Sequence, residues 1–189
     1  MKTLTCSALF TLVLSPVWAS DYEPSMRAYL ESNIRSWAAS PVLVDAINGQ
    51  NARTSGYSQA EIDALDSAWR NEVGTAATPT LTPVLENAAA DFLREQVKQS
   101  RGRITEVFVM DAQGLNVAAS AATSDMWQGD VAKFQQTYPV GPDAAHFGDV
   151  EMDASTQTYQ AQISLTIVDP ATGAPIGAMT VAVDAESLM

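Results

Sequence analysis

Cysteine is nearly absent from this chain, and so is histidine: one of each occurs in 189 residues, Cys6 and His146. A single thiol excludes an intramolecular disulfide framework, and one histidine without cysteine is a poor ligand set for zinc. A Ser-His-Asp arrangement would need His146 as its base, and no local pattern around that residue supports one. Basic residues are also scarce, 10 against 22 acidic, for a formal charge of −12. Phosphate-rich partners need lysine and arginine facing them, so nucleic acid and anionic lipid surfaces are not expected partners. There is no G-x-S-x-G, no phosphate-cradling glycine loop and no H-E-x-x-H. The carboxylates are numerous enough to form a glycosidase pair, but their separation is not written in a sequence. No catalytic residue, metal site or cofactor is therefore expected. Internal repeats and low-complexity tracts are missing too.

Long apolar runs are limited to one, Leu4 to Leu14, which is too short to span a bilayer. It follows Lys2 and precedes Ser15-Pro16 and Val17-Trp18-Ala19, the pattern of a secretory leader over residues 1–19 cut after Ala19. Removing it takes away Cys6 and Lys2, leaving 9 basic residues (10 less Lys2) against 22 acidic and a formal charge of −13. Residues 20–189 are then one cysteine-free domain whose size allows a self-sufficient core. The expected compartment is the periplasm, with an uncleaved membrane anchor as the lesser alternative.

The first half of that domain, 20–102, reads as helices. Met26, Leu30, Ile34 and Trp37 form one apolar stripe. Ser40-Pro41 starts a second, short helix over Pro41–Asn48, closed by Gly49. Ser58 and Glu61 make a capping box for a third through Ile62, Leu65 and Trp69. Thr82-Pro83 opens a fourth with Leu85, Ala88 and Phe92, running to near Gly102. From Arg103 the pattern changes. Ile104–Met110 is β-branched and aromatic, Asp111–Gly114 is a hairpin-sized turn, and Thr158–Val168 alternates strictly before the turn 169–173 and a partner strand 176–183. Helices followed by strands with short turns predict an α+β fold, with the helices packed on one face of a mostly antiparallel sheet. The other face carries Ala178, Thr180 and Ala182, small enough to leave room above it. Residues 121–148 are long for a connector and read as a lid over that face.

The segments VFVMDAQGLNVAAS, TSDMWQGD with Lys133-Phe134, and YQAQISLTIVDPATGAPIGAMTVAVD, behind SPVLVDAIN and LDSAWR, resemble a single Cache domain. This is the extracytoplasmic sensor fold of bacteria, also called the PDC sensor domain and related to PAS. The resemblance covers nearly all of 20–189. It implies a non-catalytic, PAS-like sensor for a small molecule held between one sheet face and the loops crossing it. Members of that family are usually anchored in chemoreceptors or histidine kinases; with only Asp184 to Met189 after the last strand, the expected signal-transduction partner here is a separate membrane-bound receptor or histidine kinase.

Candidate ligand contacts come first from the lid. Asp125, Trp127 and Asp130 lie within six residues, and a ring face with two carboxylates can hold a cation. Amino-acid-sensing Cache domains meet the ligand carboxylate with an arginine in this part of the fold, and residues 121–130 contain no basic side chain. The expected ligand is therefore cationic or neutral and polar, such as an amine or a betaine-like compound. The structural alternative makes Trp127 a packing residue and Asp130 the N-cap of a following helix. Gln160 and Gln162 share a strand face and can reach a pocket above the sheet. Asp169 is a further contact, or closes its own turn through an Asx hydrogen bond. Tyr138 and His146 bracket the second half of the lid. Asp143, His146, Asp149, Glu151 and Asp153 do not match a calcium loop and read as a solvated acidic segment. The rival to a ligand sensor is a protein-interaction module that uses the N-terminal helix and binds no small molecule.

Overall fold

The computed structural model describes residues 19–152 and 158–189, with side chains from Tyr22 onward. The leader read at 1–19 falls outside them except for Ala19, which opens the first helix, and so does Asp153. The expected stripe winds along α1 (Ala19–Tyr29), one π-helical turn (Leu30–Ile34) and α2 (Arg35–Ala38). Met26, Leu30 and Ile34 are at most 1% exposed, and Trp37 meets the edge of Phe92 at 6.2 Å. Each such aliphatic side chain contributes about 1.5–3 kcal/mol through burial. The outward face is held by Arg27–Glu23 and Arg35–Glu31 pairs at 2.7 and 2.8 Å.

Helix α3 runs over Pro41–Thr54, one and a half turns past the expected stop. Gly49 does not end it, because the positions beyond it are fastened: Gln50 and Asn51 bond to the sheet and Arg53 donates to the Gly49 carbonyl. The capping box forms as read, with Ser58 and Glu61 closing α4 (Gln59–Glu72). The expected fourth helix is two, α5 (Thr82–Leu85) and α6 (Ala88–Gln99), since Asn87 is extended and caps α6 through the Ala90 N–H at 2.8 Å.

The sheet contains β1 (Ile104–Met110), β2 (Asn116–Ala119), β3 (Ala145–Phe147), β4 (Glu151–Met152), β5 (Tyr159–Val168) and β6 (Pro175–Asp184). It is antiparallel in the order β2-β1-β6-β5-β3, with β4 also pairing β5. A 3₁₀ turn, Ala185–Leu188, follows β6, and one short helix, α7 (Ala132–Gln135), lies in the lid. Side chains alternate between two apolar clusters. Val107, Val109, Ile163, Leu165, Met179 and Val181 face α1, α3 and α6. Phe108, Met110 and Ala178 face the other way, toward Ile62 and Trp69 of α4 and the lid's Met126 and Phe134. The fold is α+β, but α4 and α5 belong to the second layer beside the β2 edge rather than to the first.

Candidate functional site

The hairpin that begins the sheet is fixed by one carboxylate. Asp111 is fully buried, and its Oδ1 accepts the Gln113 and Leu115 N–H groups at 2.9 Å. Its Oδ2 accepts Gln50 Nε2 at 3.0 Å and Thr54 Oγ1 at 2.8 Å, which ties the turn to α3. Gly114, at φ +80°, permits both the turn and a backbone approach so close that a Cβ would stand 2.6 Å from Gly129 Cα. Across that approach the lid adds to the sheet through Gln128 N–H to the Gly114 carbonyl and Asn116 N–H to the Met126 carbonyl, at 2.8 and 2.9 Å.

Two of the three lid residues expected to bind a cation, Asp125 and Trp127, instead help hold down the lid's first half. Asp66 of α4 accepts the Met126 and Trp127 N–H groups at 2.9 and 3.1 Å, and Arg70 bridges Asp66 to Asp125. The Asp125 carboxylate is thereby paired with a guanidinium 55 residues away in sequence, shared with Asp66, a pairing that no local pattern reveals. The Trp127 indole donates to the Gln113 carbonyl at 2.8 Å and lies against Gly129. Asp130 is exposed and is not the N-cap of α7, which is Val131. Asp125, Trp127 and Asp130 therefore do not converge on a common space.

Neither does the centre of the second face stay open. Ala178 and Thr180 are 0% exposed and Ala182 is 2% exposed. Phe134 and Met126 fill the volume expected above them, and Tyr138 stacks on Phe134 at 5.5 Å, part of that filling rather than a pocket wall. Asp169 closes its turn, with Oδ1 accepting Ala171 N–H at 2.8 Å and Oδ2 accepting Asn48 Nδ2 at 3.3 Å. It stands at the far end of β5 from the residues described next.

Three of the expected residues do come together. His146 lies opposite Ser164 in the β3–β5 pairing, so it shares a face with Gln160 and Gln162. The three line a cleft of about 320 Å³ with Asp149, Glu151 and Gly148. The Gln162 amide and the His146 imidazole make no hydrogen bond to any described residue. Among the described residues, the ionisable side chains lining the cleft are His146 and two carboxylates, with no lysine or arginine.

Lys133 is the residue whose role the sequence did not disclose. Its ammonium stands 5.4 Å above the Phe108 ring. Burial pulls its pKa below the ordinary lysine value, against the opposing pull of Glu106, Asp125 and Glu151. It forms no hydrogen bond or ion pair with a described residue. The only signal available was its position as the first basic side chain after a long acidic loop.

A larger cleft, about 790 Å³, opens between α3 and the 79–89 segment, and no expected site residue lines it. Its buried polar side chains are already committed to the fold. Gln50 and Thr54 bond Asp111, while Asn87 bonds the Val117 carbonyl and caps α6. The smaller cleft is the one where polar groups converge, with Gln162 and His146 unbonded to any described residue, a usual mark of a ligand site.

No protein family matches the sequence, and no curated protein is similar to it. Solved structures similar to it include sensor domains. The sensor domain of the V. cholerae histidine kinase DctB is 14% identical over 89% of this chain and 54% of its own, with a TM-score of 0.47. The sensory domain of the Campylobacter jejuni chemoreceptor Tlp3, with isoleucine bound, is 14% identical over 88% of this chain and 65% of its own, with a TM-score of 0.41. An extracellular ligand-binding receptor from Desulfohalobium retbaense is 14% identical over 78% of this chain and 26% of its own, with a TM-score of 0.40. The chain thus spans 54% and 65% of the length of the first two.

Proposed function

We propose that the chain is an exported sensor module that binds a small polar molecule, without chemistry, in the cleft between β3 and β5, and passes its state to a membrane-bound receptor or histidine kinase. The observation that carries this reading is the convergence of His146, Gln160 and Gln162 on one sheet face around a cleft of ligand size. Asp149 and Glu151 at its wall, with no lysine or arginine among the described lining residues, favour a cationic or neutral polar ligand. Export rests on the leader read at 1–19. Among the described residues no helix is long and apolar enough to cross a membrane.

The rival, an interaction module built on the N-terminal helix, predicts a second apolar stripe on that helix. Its inward stripe is instead buried at Met26, Leu30 and Ile34 and partly buried at Trp37, and its outward face carries the 23–27 and 31–35 ion pairs, which supports the ligand reading. A second reading of the ligand's charge is favoured by Lys133, a desolvated cation with no bonded partner on the same face. It would welcome an acidic group, and a zwitterion would satisfy both ends. A thermal-shift screen of amines, neutral polar compounds, zwitterions and organic acids tests these readings. A ligand at about 100 times its Kd stabilises by about 2.7 kcal/mol, or roughly 5–10 °C in a domain of this size. Stabilisation by acids alone would overturn the proposed ligand class, and stabilisation by nothing would overturn the sensor reading.

A further inference from the structure

Most arginines in the described residues are matched to acids: Arg27 to Glu23, Arg35 to Glu31, Arg70 to Asp66 and Asp125, Arg94 to Asp91. That is the expected outcome where acidic residues outnumber basic ones 22 to 10. Arg53 bonds the Gly49 carbonyl instead, and Arg101 and Arg103 depart from the pattern together. They sit two residues apart on the turn joining α6 to β1, and neither guanidinium bonds a carboxylate of any described residue. Both line a cleft of about 450 Å³ with Tyr29, Asn33, Gln99 and Ser100.

Two further features show that this turn is built. Arg101 is at φ +56° and is the only non-glycine among the described residues with a positive φ, immediately before Gly102 at φ +90°. A left-handed non-glycine residue costs about 1 kcal/mol relative to glycine, so an arginine side chain is held here against the backbone's preference. The turn is pinned beneath it, because Ser100 Oγ donates to the Val97 carbonyl at 2.7 Å and accepts the Ile104 N–H at 2.9 Å. The second feature is Tyr29, which is 9% exposed yet lines the cleft, and whose hydroxyl has no partner among the described residues. Burial raises its pKa, so it remains a donor at neutral pH despite the Arg103 charge beside it. The side-chain amide of Gln99 is occupied by Glu95 at 3.0 Å, and that of Asn33 by Ser32 at 2.7 Å. The strongest donors left at the cleft are two guanidinium forks and a phenolic O–H.

We propose that this cleft between the N-terminal helix and the α6–β1 turn binds a small oxyanion, a phosphate, sulfate or carboxylate group of a soluble molecule, through Arg101, Arg103 and Tyr29. Guanidinium forks match such groups in a bidentate fashion, and a neutral phenol adds a hydrogen bond to the charge. The formal charge of −12 works against an anionic surface as the source, which favours a free solute over a lipid headgroup. The site is separate from the β3–β5 cleft and does not depend on it. It joins the N-terminal helix to the strand beginning at Ile104, so occupancy would fasten those two elements together.

The test is calorimetric titration of the full chain with inorganic phosphate at low ionic strength. Three variants accompany it: Arg101→Gly, Arg103→Gln and Tyr29→Phe. Saturable binding is expected for the parent, with a loss of about tenfold or more for each variant, the effect of removing one hydrogen bond to a charged group. Arg101→Gly separates site from fold, because glycine relieves the left-handed backbone. It is expected to melt at or above the parent temperature while losing phosphate affinity. Absence of saturable phosphate binding, or equal affinity in parent and Arg101→Gly, overturns the proposal. Sedimentation with phosphatidylglycerol vesicles without binding of free phosphate overturns the assignment to a soluble anion.

Discussion

Replacing Asp111 with alanine removes four hydrogen bonds at once. Two are to the N–H groups of Gln113 and Leu115, both at 2.9 Å, and two are to the side chains of Gln50 and Thr54. The side-chain donors have other acceptors. Gln50 Nε2 also reaches the Asn116 carbonyl at 3.1 Å, and Thr54 Oγ1 reaches the Gln50 carbonyl at 3.0 Å. The two backbone donors do not, and Leu115 is fully buried. Hydrogen bonds to a charged acceptor are worth roughly 1.5–3 kcal/mol each, and an orphaned buried donor costs about 1–3. Allowing for overlap between these effects, Asp111→Ala should destabilise by about 3–5 kcal/mol, or roughly 10–15 °C in melting temperature for a domain of this length. Asp111→Asn keeps one oxygen for the two backbone N–H groups but turns an amide toward Gln50 and Thr54, so about half that loss is expected. Urea unfolding read by tryptophan fluorescence supplies the free energies, and hydrogen exchange at Leu115 supplies the local readout. An alanine variant within 1 kcal/mol of the parent, with Leu115 still protected, would refute the role given to this carboxylate.

Other substitutions test other joints of the fold. A Cβ on Gly177 would overlap the Met110 carbonyl oxygen across the β1–β6 pair, so Gly177→Ala should lower the denaturation free energy by about 2–3 kcal/mol or more in the same assay. Lys133 has a folded-state pKa below its unfolded value, so its charged form disfavours folding at neutral pH. That penalty fades as pH rises through the folded pKa toward 10.5, the range in which the unfolded chain still binds the proton. Lys133→Met should therefore be more stable than the parent at pH 7, with the difference shrinking by pH 10. A constant difference across that range would mean that packing over Phe108, and not desolvation, sets its cost.

The α+β arrangement was legible because its signals are local. The turn at Asp111–Gly114, the capping box at Ser58 and Glu61, and the alternation along Thr158–Val168 each need only neighbouring residues. The strand reading was close: β5 is Tyr159–Val168, and β6 starts one residue earlier than expected, at Pro175. Where pairing partners are distant, the reading departs from the structure. Gly49 looked like a helix stop until Gln50 and Asn51 were seen to be held by the sheet, 61 to 125 residues away in sequence. Asp125 looked available until Arg70 was found beside it, and β3 was hidden inside the lid because three residues carry too little pattern. The lid aromatics were the largest surprise. Phe134 and Tyr138 close the space that Ala178 and Thr180 were expected to leave, which moved the candidate site from the centre of the sheet to its β3 edge. Of the expected contacts, Gln160 and Gln162 share a face by strand alternation, which is legible locally, whereas His146 joins them only through the β3–β5 pairing.

The measurement that tests the ligand reading most directly is calorimetric titration of the best compound from the thermal-shift screen against three proteins: the parent, Gln162→Ala and Asp130→Asn. A ligand seated between β3 and β5 predicts a loss of about tenfold or more in Gln162→Ala, the cost of one polar contact in a partly enclosed site, and less than twofold in Asp130→Asn. Unchanged affinity in Gln162→Ala with a marked loss in Asp130→Asn would place the ligand on the outer side of the lid and contradict the account.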